Sequence, residues 1–356
     1  MSDKILQSFD IQGFQEKLID WYQNNKRDLP WRKDQDPYKV WVSEIMLQQT
    51  QVNTVIPYFQ RFMSKYPTLY DLAYADPQEV LKTWEGLGYY SRARNLQNAV
   101  REVAESYGGK VPDDPKRLGK LKGIGPYTKG AILSIAFDQV LPAVDGNVMR
   151  VLARVLKIED DIADPKVKKQ FERYAEALIS HEDPSSFNQG IMELGALVCT
   201  PKEPMCMFCP VQEHCRAFQE GRVHELPFKS KAKKQKKMSY TVLLIKNNHN
   251  EYVIEKRPED GLLANMWQFP MVPTGEIGKE HIENWFRLEY GIDVELSAKQ
   301  VDLKHVFTHI IWQLEVVTAT TASETSDDER LQFVSCKKME DHPFPVSHQK
   351  MLPYLP

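Results

Sequence analysis

The chain has 356 residues, a formal net charge of −3, 42% hydrophobic and 27% charged residues. That length exceeds what one compact core usually spans, so two or more domains are expected, and the composition excludes a chain disordered along most of its length. No apolar run reaches membrane-spanning length and no signal-peptide pattern opens the sequence, so a cytoplasmic location is expected; a monomer is expected as well. Mild acidity is not the bulk signature of a nucleic-acid binder, so a DNA-binding face would have to be local.

Phe14, Leu18, Ile19, Trp21 and Tyr22 recur at helical spacing and predict an amphipathic helix over 14–25. Asp28-Leu29-Pro30-Trp31-Arg32 breaks it. A largely apolar helix holding Ser43 and Glu44 is expected within Val40-Trp41-Val42-Ser43-Glu44-Ile45-Met46-Leu47-Gln48-Gln49-Thr50. Glu44 is out of place there: a carboxyl in apolar surroundings has its pKa raised and can serve as a general acid, although a glutamate at a helix rim paired with an arginine gives the same pattern. Further on, a helix ends at the glycines of Trp84-Glu85-Gly86-Leu87-Gly88-Tyr89-Tyr90-Ser91-Arg92, where rings beside cations suit base stacking and phosphate contact, or a capped helix with core tyrosines.

The stretch from Leu121 to Asn147 is the most informative. Gly123-Ile124-Gly125 allows a tight turn with unusual φ values, and its N–H groups ahead of a new helix suit a phosphate oxygen. The apolar run Ala131–Phe137 reads as a buried helix. Val144-Asp145-Gly146-Asn147 then presents a carboxylate, which could equally cap the following helix. Helical stretches are expected over 150–179 and 188–197.

Four of the five cysteines cluster at Cys199, Cys206, Cys209 and Cys215. The spacing Cys-x6-Cys-x2-Cys-x5-Cys places four thiolates at one site. A [4Fe–4S] cluster takes four cysteines; zinc can too, but usually through two short pairs, and only one is present. Lys202 and Arg216 flank these cysteines as candidate phosphate contacts.

Residues 229–237 hold Lys229, Lys231, Lys233, Lys234, Lys236 and Lys237, the signature of a solvated basic linker. Beyond Met238 the period changes. Strands are expected at 240–245 and 251–255 around the turn Asn247-Asn248-His249-Asn250, a helix at 280–290, and strands near 301–307 and 311–318: an α+β domain.

In combination these motifs resemble the helix-hairpin-helix DNA glycosylases, and within them the MutY family of adenine DNA glycosylases, over essentially the whole chain. The carriers are Trp41-Val-Ser-Glu-Ile-Met-Leu-Gln-Gln-Thr50, Leu87-Gly88-Tyr89, Leu121-x-Gly-Ile-Gly-x-Tyr127-Thr128, Val144-Asp-Gly-Asn-Val148 and the cysteine spacing. The resemblance implies an all-α glycosylase region over 1–228, with a six-helix module at about 30–135 and an iron–sulfur module built from the N-terminal helix and 136–228. The linker 229–237 and a Nudix-like domain at 238–356 would follow. It implies double-stranded DNA bearing adenine opposite 8-oxoguanine or guanine as partner, a [4Fe–4S] cofactor, Glu44 as catalytic acid, Asp145 facing the cationic sugar or bonding to it covalently, and Tyr127 and Asn147 in support. Arg32, Gln49, Tyr89, Gly123 and Gly125 would contact DNA, with Tyr89 as the wedge opposite the extruded base and Gln49 as its counterpart.

Three departures are informative. Endonuclease III-type relatives carry a lysine where this chain has Tyr127, and a tyrosine cannot form a Schiff base, so a monofunctional enzyme is expected. Asn284-Trp285-Phe286-Arg287-Leu288-Glu289-Tyr290-Gly291 keeps only the last glutamate and the glycine of the Nudix box, too few carboxylates for a hard cation. The family's Phe-Ser-His loop, which inspects the 8-oxoguanine, reads Phe307-Thr308-His309 here; threonine keeps the hydroxyl and adds a stiffening methyl.

Overall fold

The computed structural model describes residues 5–230 and 234–355; Lys231 and Lys233 of the expected linker lie outside the described residues. In chain order the longer helices are α1 (Ile11–Asn25), α2 (Pro37–Leu47), α3 (Val52–Lys65), α4 (Pro77–Trp84), α5 (Ser91–Ser106), α6 (Pro126–Phe137), α7 (Gly146–Val155), α8 (Pro165–Leu178), α9 (Pro184–Leu197) and α10 (Ile282–Tyr290). None of the described helices is long and apolar enough to cross a membrane. The chain forms two compact units, one of residues 1–73 with 98–231 and one of 74–97 with 232–356. Segment 74–97 thus belongs to the same unit as the C-terminal strands.

In the first unit, α2 starts where Asp36 accepts hydrogen bonds from the Tyr38 and Lys39 amides and Pro37 supplies a preset φ. Its residues Tyr38 and Val40 to Met46 are buried, Glu44 among them. The helix ends at Leu47, and Gln49 just beyond it takes a left-handed φ of 58°. The stretch expected to be helical over 150–179 is two helices: Lys157 has a φ of 55°, and Asp164 with Pro165 starts α8 afresh. Phe14 and Leu18 of α1, Val151 and Leu152 of α7, Phe171 and Tyr174 of α8, and Phe187 and Leu194 of α9 share one core.

The second unit holds a seven-stranded mixed sheet of β1 (Lys236–Lys246), β2 (Tyr252–Lys256), β3 (Trp267–Gln268), β4 (Met271–Val272), β5 (Glu295–Val306), β6 (Ile310–Thr320) and β7 (Leu331–Val334). The path runs β3-β2-β1-β6-β5, with β4 on β1 and β7 on β2. β1 and β6 pair in parallel from Lys236↔Ile310 to Lys246↔Thr320; the other pairs are antiparallel. The unbroken apolar run Val242–Ile245 follows from this central position. Val242 and Leu244 face one core with Phe269 and Trp312, and Leu243 and Ile245 face another with Phe286 of α10. β1 begins at Lys236, so the last two lysines of the expected linker are strand residues.

Candidate active site

Glu44 and Asp145 line one pocket of about 140 Å³ in the first unit, with Arg32, Tyr127, Asn147, Gln189 and Met192. Each arrives on a different element. Glu44 lies on the buried face of α2 and is 5% exposed. Tyr127 stands in the first turn of α6, its hydroxyl 2.5 Å from Glu44 Oε2 and 3.5 Å from Met192 Sδ. Asp145 caps α7: Oδ1 accepts from the Val148 amide at 2.8 Å and Oδ2 from Asn147 Nδ2 at 2.8 Å. Close backbone packing fixes these elements. A Cβ on Gly130 of α6 would meet the Pro142 carbonyl at 2.0 Å, and one on Gly195 of α9 would meet Asn147 Cβ at 2.8 Å.

The electrostatics separate the two carboxyls. Burial pushes Glu44 up to about 7, against the lowering effects of the Tyr127 hydroxyl and Arg32 and with a small push from Asp145. Half of such a group is protonated near neutral pH, as a general acid requires. Burial also raises Asp145, but hydrogen bonds from Val148 and Asn147 and the charge of Arg150 oppose it. Arg150 ties this corner together: it donates to Asn147 Oδ1 (2.9 Å), the Gly195 carbonyl (2.8 Å) and the Cys199 carbonyl (2.9 Å).

Arg32, expected at the DNA, is a wall of this pocket. Its guanidinium donates to both oxygens of Glu193 at 3.1 and 3.0 Å and to Gln189 Oε1 at 3.2 Å, so it is engaged by protein partners. Arg27 completes a second bidentate pair with Glu193 at 2.8 and 2.8 Å. Burial works to raise the Glu193 carboxyl, but the bonds from Arg27 and Arg32 outweigh it and hold the group at about 2. Sequence reasoning missed Arg27, Gln189, Met192 and Glu193. The signal was available: Gln189 and Glu193 stand one turn apart on a helix whose second half is otherwise apolar, the pattern that marked Glu44.

The hairpin before α6 differs in part from expectation. Gly123 has the left-handed φ of 85°. Gly125 has φ −89° and ψ 177°, extended backbone open to any residue, and a Cβ there would meet nothing within 4 Å. No side chain caps α6, and both glycines are exposed, which leaves its N-terminal amides facing outward. Gln49 is exposed, with its left-handed φ, at the end of α2.

All four clustered cysteines line a single apolar cavity with Val151, Leu194, Val198 and Val211. Buried Arg154 donates to Cys199 Sγ at 3.3 Å and to the carbonyls of Thr200, Pro201 and Leu226 at 2.8, 3.2 and 2.9 Å. Burial pushes the Cys209 thiol up to about 12 and the Cys215 thiol up to about 11. Among the described residues no three His, Cys, Asp or Glu side chains converge on a point where a single metal ion could sit. Arg216, expected at phosphate, donates to the Ile5 carbonyl at 2.8 Å, and Lys202 is exposed.

In the second unit Phe307-Thr308-His309 forms the turn between β5 and β6, closed by Phe307 N–H to the Ile310 carbonyl at 2.8 Å. Tyr89, at a left-handed φ of 47°, reaches it: the Tyr89 and Thr308 hydroxyl oxygens are 3.4 Å apart. Both line a cleft of about 640 Å³ with His305, Phe307, His309 and Arg94. Of the Nudix-box remnants, Gly291 caps α10 at φ 69° and Glu289 is paired with Arg330 at 3.0 Å.

Residues 42–177 match the model of the HhH-GPD superfamily of base excision DNA repair proteins, and residues 241–354 match a NUDIX domain. The adenine DNA glycosylase of Rattus norvegicus is 38% identical over 89% of this chain and 73% of its own length. That of Buchnera aphidicola subsp. Schizaphis graminum is 37% identical over 84% and 85%. The chain belongs to the MutY family of adenine DNA glycosylases. This glycosylase shares the helical fold of a thermostable thymine-DNA glycosylase (28% identity, TM-score 0.54, 59% of this chain and 97% of that one). A DNA-trapped endonuclease III has the same fold (24% identity, TM-score 0.51, 59% and 96%). The adenine glycosylase therefore acts on DNA, in base excision repair, through the endonuclease III fold with a Nudix-like domain appended.

Proposed function

We propose that this adenine DNA glycosylase acts on adenine opposite 8-oxoguanine or guanine, and that it hydrolyses the N-glycosidic bond without cutting the strand. The observation that carries the chemistry is a buried carboxyl at about 7, Glu44, in one pocket with Asp145. A base in duplex DNA must be flipped out to reach such a pocket. Glu44, protonated, donates its proton to a ring nitrogen of adenine and makes the base a better leaving group. Asp145, held by the Val148 amide and Asn147, faces the positive charge that develops at C1′ of the sugar. Water then completes the hydrolysis. Tyr127 cannot form a Schiff base, and Lys129 is not among the pocket's lining residues, which supports a monofunctional reaction. The open N-terminus of α6 beyond Gly123 and Gly125 is assigned to a backbone phosphate.

The Tyr89–Thr308 cleft is assigned to the partner base, which supports choice of 8-oxoguanine by the C-terminal domain. Cys199, Cys206, Cys209 and Cys215 are assigned to a [4Fe–4S] cluster. Four thiols around one apolar cavity, with only one short Cys-x2-Cys pair among them, fit a four-iron group better than one zinc. When bound, the cluster cross-links the loop from Cys199 to Cys215; Arg154 holds the carbonyls at its start.

The test is single-turnover adenine release from duplexes with A opposite 8-oxoguanine, G or T. Release with strong preference for the 8-oxoguanine partner is expected. Equal release from the first two duplexes removes the role of the cleft, and no release removes the assignment of Glu44 and Asp145.

A further inference from the structure

The glycine–tyrosine turn that carries Tyr89 is built onto the C-terminal sheet by one face of α4. Gln78, Lys82 and Glu85 follow at helical spacing, and each binds backbone or side chain from the far end of the sequence. Gln78 is used at both ends of its amide: Oε1 accepts from the Trp267 indole at 3.0 Å and Nε2 donates to the Asn265 carbonyl at 3.1 Å. Lys82 donates to the His342 carbonyl at 3.1 Å. Glu85 accepts from the Phe344 amide at 2.7 Å and from Lys82 at 2.8 Å. Trp267 and Phe344 are buried, and the bonds to α4 lie partly buried at their edge.

Directly after Glu85 the chain turns through three left-handed positions, Gly86 (φ 93°), Gly88 (φ 75°) and Tyr89 (φ 47°). A tyrosine at such a φ persists only where its surroundings hold it. The Trp84 indole binds the Gly88 carbonyl at 3.1 Å, and the Tyr90 hydroxyl accepts from the Gly86 amide at 3.2 Å, so the turn is rigidly joined to α4. Arg94 fixes its other side through the Ala264 carbonyl at 2.7 Å. With α4 seated in this way, the hydroxyl of Tyr89 lies 3.4 Å from that of Thr308.

We propose that Gln78 and Glu85 are positioning residues for the choice of the base opposite the adenine. They touch neither base. They set the distance between Tyr89 and Thr308, and hence the width of the cleft, from the opposite end of α4. This inference rests on the assignment of that cleft to 8-oxoguanine.

The experiment is the double variant Gln78→Ala/Glu85→Ala, compared with Glu85→Gln, which keeps an acceptor for the Phe344 amide. Single-turnover adenine release is measured opposite 8-oxoguanine and opposite guanine. The double variant should lose about tenfold in the preference for 8-oxoguanine, as expected when several hydrogen bonds are removed from a positioning element. Its rate opposite guanine should be unchanged, and Glu85→Gln should restore most of the preference. Equal losses on both duplexes would mean a general structural defect and overturn the proposal, as would an unchanged preference. Thr308→Ala run beside them separates the two levels. If it loses the preference and the double variant does not, the positioning role fails alone; if Thr308→Ala keeps the preference, the cleft assignment fails and takes the proposal with it.

Discussion

The Tyr127 hydroxyl lies 2.5 Å from Glu44 Oε2, and this bond works against the burial that keeps Glu44 protonated. Desolvation raises the carboxyl to about 7, and the hydroxyl, which stabilises the ionised form, limits that rise. Tyr127→Phe removes the restraint and leaves the burial. A general acid works in its protonated form, so adenine release should decline as pH rises through about 7 in the parent protein. In Tyr127→Phe that decline should begin at a higher pH. The single-turnover rate measured from pH 5 to 9 checks this; a decline that stays in place or moves to lower pH would show that the hydroxyl does not tune Glu44.

The same raised pKa makes Glu44 a cost to folding at neutral pH. The folded state holds this proton more tightly than the unfolded chain, whose carboxyl titrates near 4.5. The contribution to stability is therefore full below about 4.5 and is lost as pH rises through about 7. Glu44→Gln has no charge to bury. It should be inactive in base release yet more stable than the parent at pH 8, by on the order of 3 kcal/mol, with the difference vanishing near pH 4. Denaturant titrations at the two pH values measure it; equal stability at pH 8 would contradict the raised pKa.

Glu193 has the opposite sign. Its carboxyl is held at about 2 by Arg27 and Arg32, so its contribution is present above about 4.5 and is lost as pH falls through 2. Glu193→Gln leaves two guanidiniums facing a neutral amide on the pocket wall. Removing one partner of a buried ion pair costs about 3 kcal/mol, so a large drop in melting temperature at pH 7 is expected, with adenine release reduced because Arg32 loses its anchor beside Glu44. A melting temperature within experimental error of the parent would show that the network is solvated.

What could be read from the sequence follows a physical line. Local signals were sufficient where chemistry stands against its background: a glutamate in an apolar helix, four cysteines at close spacing, a carboxylate beside Gly146. In the structure Glu44 and Asp145 line one pocket and the four cysteines another, and the family match confirms the two-part organisation of helices followed by a Nudix-like sheet. Signals failed where the partner is distant in sequence. Nothing near Arg32 reveals that Glu193, 161 residues on, takes its charge. Nothing in 74–97 shows that it packs with the C-terminal strands, because its anchors are carbonyls and amides between Ala264 and Phe344. Two-residue strands such as Trp267–Gln268 have no periodicity to detect. Gly125 was misread for a different reason: a glycine in a turn does not by itself report a positive φ, and this one is extended.

Asp145→Asn should separate binding from chemistry. The asparagine oxygen can still accept from the Val148 amide, so α7 keeps its cap. The amide nitrogen then faces Asn147 Nδ2, two donors where the parent has a donor and an acceptor, and the negative charge is gone. Base release should fall by at least about a thousandfold, the scale on which preorganised charge acts in a closed site, while affinity for duplex DNA changes little. Gel-shift titration beside single-turnover release tests both parts. Release at the parental rate would remove Asp145 from the mechanism.

Thr308 offers the most direct test of how the partner base is chosen. Its hydroxyl oxygen is 3.4 Å from that of Tyr89, at a distance where a ligand atom or a small shift of either side chain can close or replace the contact. A hydroxyl can donate and accept, which suits a base whose edge differs from guanine by one oxygen and one N–H. Thr308→Ala removes that capacity together with the methyl that stiffens the turn; Thr308→Ser keeps the hydroxyl and removes the methyl alone. Opposite 8-oxoguanine, Thr308→Ala should bind DNA more weakly by about tenfold, the worth of one well-placed hydrogen bond, and lose a similar factor in preference over guanine. Thr308→Ser should stay near the parent. If both variants lose the preference to the same extent, the methyl and not the hydroxyl sets it, and the cleft recognises shape, not the pattern of donors and acceptors.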